Sequence, residues 1–266
     1  MRIPLWQVDA FAERAFGGNP AAVCRLERWL PDAVLQAIAA ENALSETAFF
    51  TGPDDGWRLR WFTPVNEVDL CGHATLATAW VVLHRLSPGR ESVTFQTQSG
   101  ALKVERRGEL LEMDFPAWIP KPCDPPPPEL AAALGTRPLR AFRTRDWLCV
   151  LPDEASVRAI SPDLAKLVAL PEKRAVMVTA AADPGRGVDF VSRFFAPAEG
   201  VPEDPVTGSA HCTLVPYWSE RLGKNELVAE QVSARGGRLW CRSDGPRVRI
   251  AGRCAPFLTG EIELEG

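Results

Sequence analysis

The sequence predicts an α+β protein made of two pseudo-symmetric domains, each a rolled mixed or antiparallel sheet around a central helix. Three observations lead there. First, four landmarks recur once in each half: Pro31 and Pro162, Phe62 and Phe195, Gly72 and Gly208, Gly100 and Gly237 lie 131, 133, 136 and 137 positions apart. Offsets that rise slowly along the chain are those of a tandem duplication whose second copy gained a few loop residues, with two copies rather than a solenoid array. Second, Trp57 to Trp61, Leu102 to Glu105 and Arg247 to Ile250 alternate apolar and charged residues, the pattern of sheets with one wet face. Third, Ala74 to Leu83 is apolar or small on every side, so that helix is buried all round. A helix enclosed by strands with one wet face requires a sheet curled about it.

The elements follow in order. Pro31-Asp32 begins a helix over about Ala33 to Ala40, and Glu46 precedes an apolar strand through Phe50. Phe62-Thr63-Pro64 closes the next strand. Leu70-Cys71-Gly72-His73-Ala74-Thr75 is a polar loop, a glycine and the start of the buried run, which reads as a helix N-terminus aimed at something anionic. From Pro116 to Pro128 seven of thirteen residues are proline, which lack backbone donors and favour extended geometry. No helix or central strand is expected there, and the domain boundary is set at 1–118 and 119–266. Glu129 to Leu134 can form a short helix that Gly135 stops. A Pro-Asp helix from Leu164 to Leu170 and a strand closed by Phe195-Ala196-Pro197 repeat the first half. The acidic insert Glu203-Asp204-Pro205 falls where the offset steps from 133 to 136. Val206-Thr207-Gly208-Ser209-Ala210-His211 then repeats the helix start, and the helix over about Ala210 to Arg221 is expected to be kinked or divided by Pro216.

A chain of 266 residues suffices for two cores of roughly 100 to 150 residues each. With 46% apolar and 24% charged residues it reads as a soluble globular protein. A formal charge of −4 offers no electrostatic reason for nucleic acid or an anionic membrane as partner. Seven cysteines, an odd number with no Cys-x-x-Cys pair and no histidine cluster, argue against a disulfide framework or a zinc site. Reduced thiols and a cytoplasmic location are expected. Gln7 and Asp9 interrupt any signal-peptide core, and the longest apolar run, Ala74 to Leu83, falls short of the roughly 18 residues that span a bilayer.

The chemistry is expected at the two helix starts. Opposed across a cleft, two such ends with unpaired N–H groups hold a carboxylate or stabilise an enolate oxygen. An acid/base is then needed, and Glu46, Cys71, His73 and Asp204 are on or near the two segments. Glu46, beside apolar neighbours, reads either as that acid/base or as a solvated strand end. His73 sits where the helix dipole opposes the imidazolium form, so a neutral imidazole that relays a proton, or a cap bonded to backbone, is expected. His84 and His211 have no comparable placement and are read as structural or peripheral. Asp204 reads as catalytic or as turn chemistry before Pro205. Ser209 reads as a cap or a substrate ligand. Cys71 reads as a helix-start thiolate with nucleophilic or acid/base work, or as packing.

The strings FGGNPAAV (Phe16 to Val23), ENALSETAFF (Glu41 to Phe50), FTPVNEVDLCGHATLATAWV (Phe62 to Val81) and EDPVTGSAHC (Glu203 to Cys212) resemble the phenazine-biosynthesis isomerase family, called PhzF-like. The resemblance covers nearly the whole chain, from Asp9 to Gly260. It implies the diaminopimelate epimerase-like fold, two alike domains with the active site between them, and a proton-shuttling isomerase that works without metal or organic cofactor. It assigns Glu46 as the acid/base, with His73 and Asp204 completing the catalytic cluster. Gly72, Gly208 and Ser209 match substrate-binding positions, and Asn19 and Cys71 are placed with them. The expected ligand is a small carboxylate-bearing amino acid or cyclic acid, and the expected assembly is a homodimer. Racemases of similar fold use paired thiols, one before each helix glycine; here those positions are Cys71 and Thr207, which disfavours an amino-acid epimerase using Cys71. A non-catalytic binding protein on the same fold is the remaining alternative. Substrate specificity is expected in loops near Phe16 to Asn19 and Val65 to Asp69.

Overall fold

The computed structural model describes residues 1–54, 56–170 and 174–264. The chain divides into two units, one of Met1–Asp114 with Ala251–Gly266 and one of Phe115–Ile250.

In the first unit, β1 (Arg2–Ala10) pairs antiparallel with β2 (Asn19–Arg25). The chain then crosses through α1 (Asp32–Asn42) to β3 (Glu46–Thr51), which lies parallel to β2. β4 (Trp57–Phe62) is antiparallel to β3, and β5 (Glu67–Val68) is antiparallel to β4. A second crossover through α2 (Gly72–Val81) leads to β6 (Ser92–Thr97), parallel to β4. β7 (Gly100–Arg107) and β8 (Leu110–Pro116) complete an antiparallel meander. Helix α2 is buried from His73 to Val81, as its lack of a polar face requires. On the other side of the sheet, Leu35, Ile38 and Ala39 of α1 pack with Ile3, Cys24, Phe49 and Phe62. β3 is therefore covered on both faces, and this explains its unbroken apolar run.

In the second unit, β9 (Lys121–Cys123) pairs with β10 (Arg140–Arg143) after the short helix α3 (Pro128–Leu134), which ends at Gly135 with φ 68°. β10 pairs with β11 (Trp147–Val150). Helices α4 (Glu154–Ala159) and α5 (Leu164–Val168) carry the chain to β12 (Val176–Ala181), parallel to β11. β13 (Phe190–Ala196) is antiparallel to β12, and β14 (Val201–Asp204) is antiparallel to β13. Helix α6 (Gly208–Leu222) crosses to β15 (Glu226–Gln231), parallel to β13, followed by β16 (Gly237–Asp244) and β17 (Arg247–Gly252). Leu130, Val157 and Leu167 from the three short helices cover Val176, Val178 and Val191. The order of parallel and antiparallel pairings repeats that of the first unit, as a duplication demands.

One expectation is corrected. Residues from Ala251 onward, placed in the second domain by the 119–266 boundary, belong to the first unit, because β18 (Cys254–Glu263) pairs antiparallel with β1 along its whole length. β9 closes β10 in the same way. Each unit's first hairpin is thus completed by a strand that follows the other copy. Of the kink or division expected at Pro216, division does not occur, and α6 is one helix. Proline has no N–H for the carbonyl four residues earlier, and that carbonyl, of Cys212, instead accepts the Trp118 N–H at 2.8 Å. The seven cysteines are free thiols, and no described helix is long and apolar enough to cross a membrane.

Candidate active site

The side-chain period of two in β3 decides where Glu46 points. Thr47 and Phe49 face α1: Thr47 Oγ1 accepts from Asn42 Nδ2 at 3.1 Å, and Phe49 lies in the α1 cluster. Glu46, Ala48 and Phe50 therefore face the α2 side. There His73, the second residue of α2, places Nε2 3.1 Å from Glu46 Oε2. A one-residue register slip would aim the carboxylate at α1 instead.

The other ring nitrogen of His73 is also occupied. Asn19, the first residue of β2 and fully buried, sets Nδ2 3.1 Å from His73 Nδ1, and Cys71 Sγ is 3.5 Å from the same atom. Asn19 and Cys71 therefore hold the Nδ1 edge of the ring and leave the Nε2 edge to Glu46. Burial opposes a charged His73, but Cys71 and Glu46 outweigh it and raise its pKa well above the ordinary value. The contacts with Cys71 and Glu46, the second of which no local spacing discloses, reverse the direction expected from the helix dipole. Cys71, read either as a helix-start thiolate or as packing, is buried. Burial first, and Glu46 second, push its thiol up, so it is a neutral thiol at pH 7 rather than a helix-start thiolate. Cys71 is the N-cap residue of α2 in extended conformation, and no side chain caps the helix. Gly72 follows as the first helical residue.

The loop before Asn19 is tightly built. Gly18 has φ 63°, and a Cβ there would meet Ala10 O at 2.2 Å. Phe16 takes φ 75°, its N–H donates to Asp9 Oδ2 at 2.9 Å, and its ring is 74% exposed. A bulky residue in the left-handed region marks a conformation held by its surroundings.

The second unit carries its own polar cluster. Asp204 ends β14. Thr207, the N-cap residue of α6, turns its hydroxyl to Asp204 Oδ2 and not to the helix. Gln231, at the end of β15 and 1% exposed, accepts the Thr207 N–H at 2.9 Å and donates to Asp204 O at 2.6 Å and to Thr207 Oγ1 at 3.2 Å. Gly208 and half-buried Ser209 form the first turn of α6. His211 donates Nδ1–H to Thr207 O at 2.8 Å, and burial lowers its pKa to about 4. His84 is likewise structural, with Nδ1 3.0 Å from Trp80 O and Nε2 3.0 Å from an Arg106 nitrogen.

The first unit thus brings together Asn19, Glu46, Cys71, Gly72 and His73, and the second brings together Asp204, Gly208 and Ser209. Gln231 has no signal in the sequence; it ends an ordinary half-exposed strand, and only the parallel β13–β15 register carries it to Asp204. Glu46, Cys71 and His73 also present one ligand atom each within 4.8 Å of one another, a set of donors suited to a borderline-soft divalent ion.

Known proteins share this fold. The phenazine biosynthesis-like protein family matches residues 8–260. An uncharacterized isomerase of Pseudomonas aeruginosa is 54% identical over 99% of this chain and all of its own length. The crystal structure of a PhzF-family phenazine biosynthesis protein from Enterococcus faecalis is 50% identical, with TM-score 0.95, over 99% of this chain and all of that one. A hydroxyproline epimerase from Agrobacterium vitis, 10% identical with TM-score 0.60 over 98% of this chain and 91% of its own, shares the fold. The chain belongs to the phenazine biosynthesis-like protein family, a family of isomerases.

Proposed function

We propose that the chain is a cofactor-independent isomerase that moves a proton within a small carboxylate-bearing metabolite, an amino acid or cyclic acid, with Glu46 as the acid/base. The observation that carries this reading is the 3.1 Å approach of His73 Nε2 to Glu46 Oε2, with Nδ1 held by Asn19. In the forward step the Glu46 carboxylate takes a proton from a C–H carbon, and the electron pair of that bond delocalises into the adjacent unsaturated system. The now neutral Glu46 returns the same proton to a second carbon of that system. The double bond shifts and no atom is gained or lost. The Nε2–H of His73 stabilises Glu46 while it is ionised. Helix amides at Gly72 and at Gly208 and Ser209, which no side chain caps, are suited to the substrate carboxylate. Asp204, fixed by Thr207 and Gln231, is the second polar group of the reaction.

Glu46→Gln tests the reading. Screening small cyclic and aliphatic amino acids by NMR for enzyme-dependent deuterium uptake identifies a substrate; the variant then lowers that uptake by about 10²- to 10⁴-fold, the usual range for a lost general base. Undiminished uptake moves the chemistry to another group. Exhaustive dialysis against EDTA leaves the wild-type rate unchanged; a rate lost on dialysis and restored by zinc assigns the Glu46–Cys71–His73 cluster to a metal instead.

A further inference from the structure

We propose that a cavity in the second unit, lined by none of the residues of the Glu46 and Asp204 clusters, binds a small organic anion, a carboxylate or phosphate carried on a flat apolar body. The cavity measures about 830 Å³, within the usual size of small-molecule sites. Lys121, Arg143 and Arg145 line it together with Trp118, Ile119 and Thr144, and no Asp or Glu is among its described lining residues. In a chain of net charge −4, three cations about one cavity are a local reversal of the average.

Lys121 of β9 and Arg143 of β10 are directly opposite in the antiparallel register, which brings two cations to one strand pair. Arg145 adds a third cation two residues further on. The walls are fixed beforehand. The Arg174 guanidinium donates to the carbonyls of both Thr144 and Arg145, and Thr144 Oγ1 is 3.0 Å from Thr213 Oγ1 of α6. Trp118 is tied to α6 through its N–H on Cys212 O. Ile119 presents an apolar side chain 65% exposed. Cationic and apolar side chains lining one cavity match a ligand with an ionised head and an apolar body.

Isothermal titration of the full-length protein in phosphate-free buffer, with 1-naphthyl phosphate, 1-naphthoate, neutral 1-naphthol and inorganic phosphate, tests this. At least one aryl anion is expected to bind; the stronger of the two identifies the headgroup. Naphthol and inorganic phosphate bind at least tenfold more weakly than that anion. Kd rises at least tenfold in Lys121→Glu and in Arg145→Glu, and at least threefold in the milder Lys121→Gln and Arg145→Gln if a reversal fails to fold. Arg28→Glu, an equal charge change at an exposed site in the first unit, leaves Kd unchanged, as does Glu46→Gln. No binding of either aryl anion, an equal Kd in the pocket variants, or loss of binding in Glu46→Gln overturns the proposal; the last outcome places the anion at the proton-shuttling site instead.

Discussion

The His73 ring is held at both edges: the Asn19 amide lies on Nδ1 and leaves Nε2 to Glu46. Asn19→Leu removes that constraint without adding charge, and the turnover number is expected to fall by about 10²-fold, as when general acid–base geometry is lost. The diagnostic readout is the His73 ¹⁵N pattern, in which the Nδ1 signal moves in Asn19→Leu because its hydrogen-bond partner is lost. An unchanged pattern would make Asn19 a packing residue. Cys71 gives the contrasting case. A thiol held up by burial and Glu46 is a poor base, so Cys71→Ala retains deuterium uptake within about threefold; abolished uptake would favour the epimerase reading. At this scale Glu46, Cys71, Gly72 and His73 were legible because they are in or beside short segments whose residue types already pair an acid/base with a helix start. Asn19 was legible as a candidate, but its bond to His73 was not, since that bond joins positions 54 apart. Gln231 was not legible at all, because nothing in Glu226 to Gln231 distinguishes it from a strand end.

Elements were read from periodicity, and they fail where a partner from far away supplies what the local sequence lacks. The alternating runs became β4, β7 and β17, and the all-apolar run became α2. Pro216 does not divide α6, because the donor that replaces its missing N–H comes from Trp118, outside the helix. The strand that carries Asp204 depends on a similar remote anchor. Arg193 of β13 makes two hydrogen bonds to the Glu203 carboxylate, at 2.7 and 2.9 Å, and a third to Ile160 O at 2.7 Å. With the Arg193 side chain 14% exposed and that of Glu203 24% exposed, Arg193→Met leaves a mostly desolvated carboxylate next to Asp204. The expected loss is about 2 to 3 kcal/mol, read from the urea midpoint. Arg193→Lys restores the charge but not the two-point grip and recovers less than half of it. If both variants unfold with the wild type, the Arg193–Glu203 pair does not hold β14.

The duplication was legible across the whole molecule as four slowly rising offsets, whereas the exchange of closing strands was not: Arg2 pairs with Glu263, and no local pattern links the two ends of a chain. The second unit also contains two buried titratable groups with opposite linkage. Burial lowers the His211 pKa to about 4, against about 6.5 in an unfolded chain. Between those values the unfolded chain binds the extra proton, so stability rises with pH. Asp146 works the other way. Burial raises it to about 6, with Glu199 adding to the rise and Arg145 and Arg174 opposing it. Between about 3.9 and 6 the folded chain holds the extra proton, so stability falls as pH rises. The two windows overlap and the two slopes, each limited to about 1.4 kcal/mol per pH unit, nearly cancel. Denaturation at pH 4.5 and 5.5 separates them. Relative to wild type, His211→Gln lowers the gain in stability from pH 4.5 to 5.5 by about 1 kcal/mol, and Asp146→Asn increases it by about the same. Both variants differ from wild type in slope as well as in absolute stability, and only the slope reports titration. Parallel pH profiles for all three proteins would mean that neither group is held away from its ordinary range, and that the second unit's core admits enough water to solvate both charges.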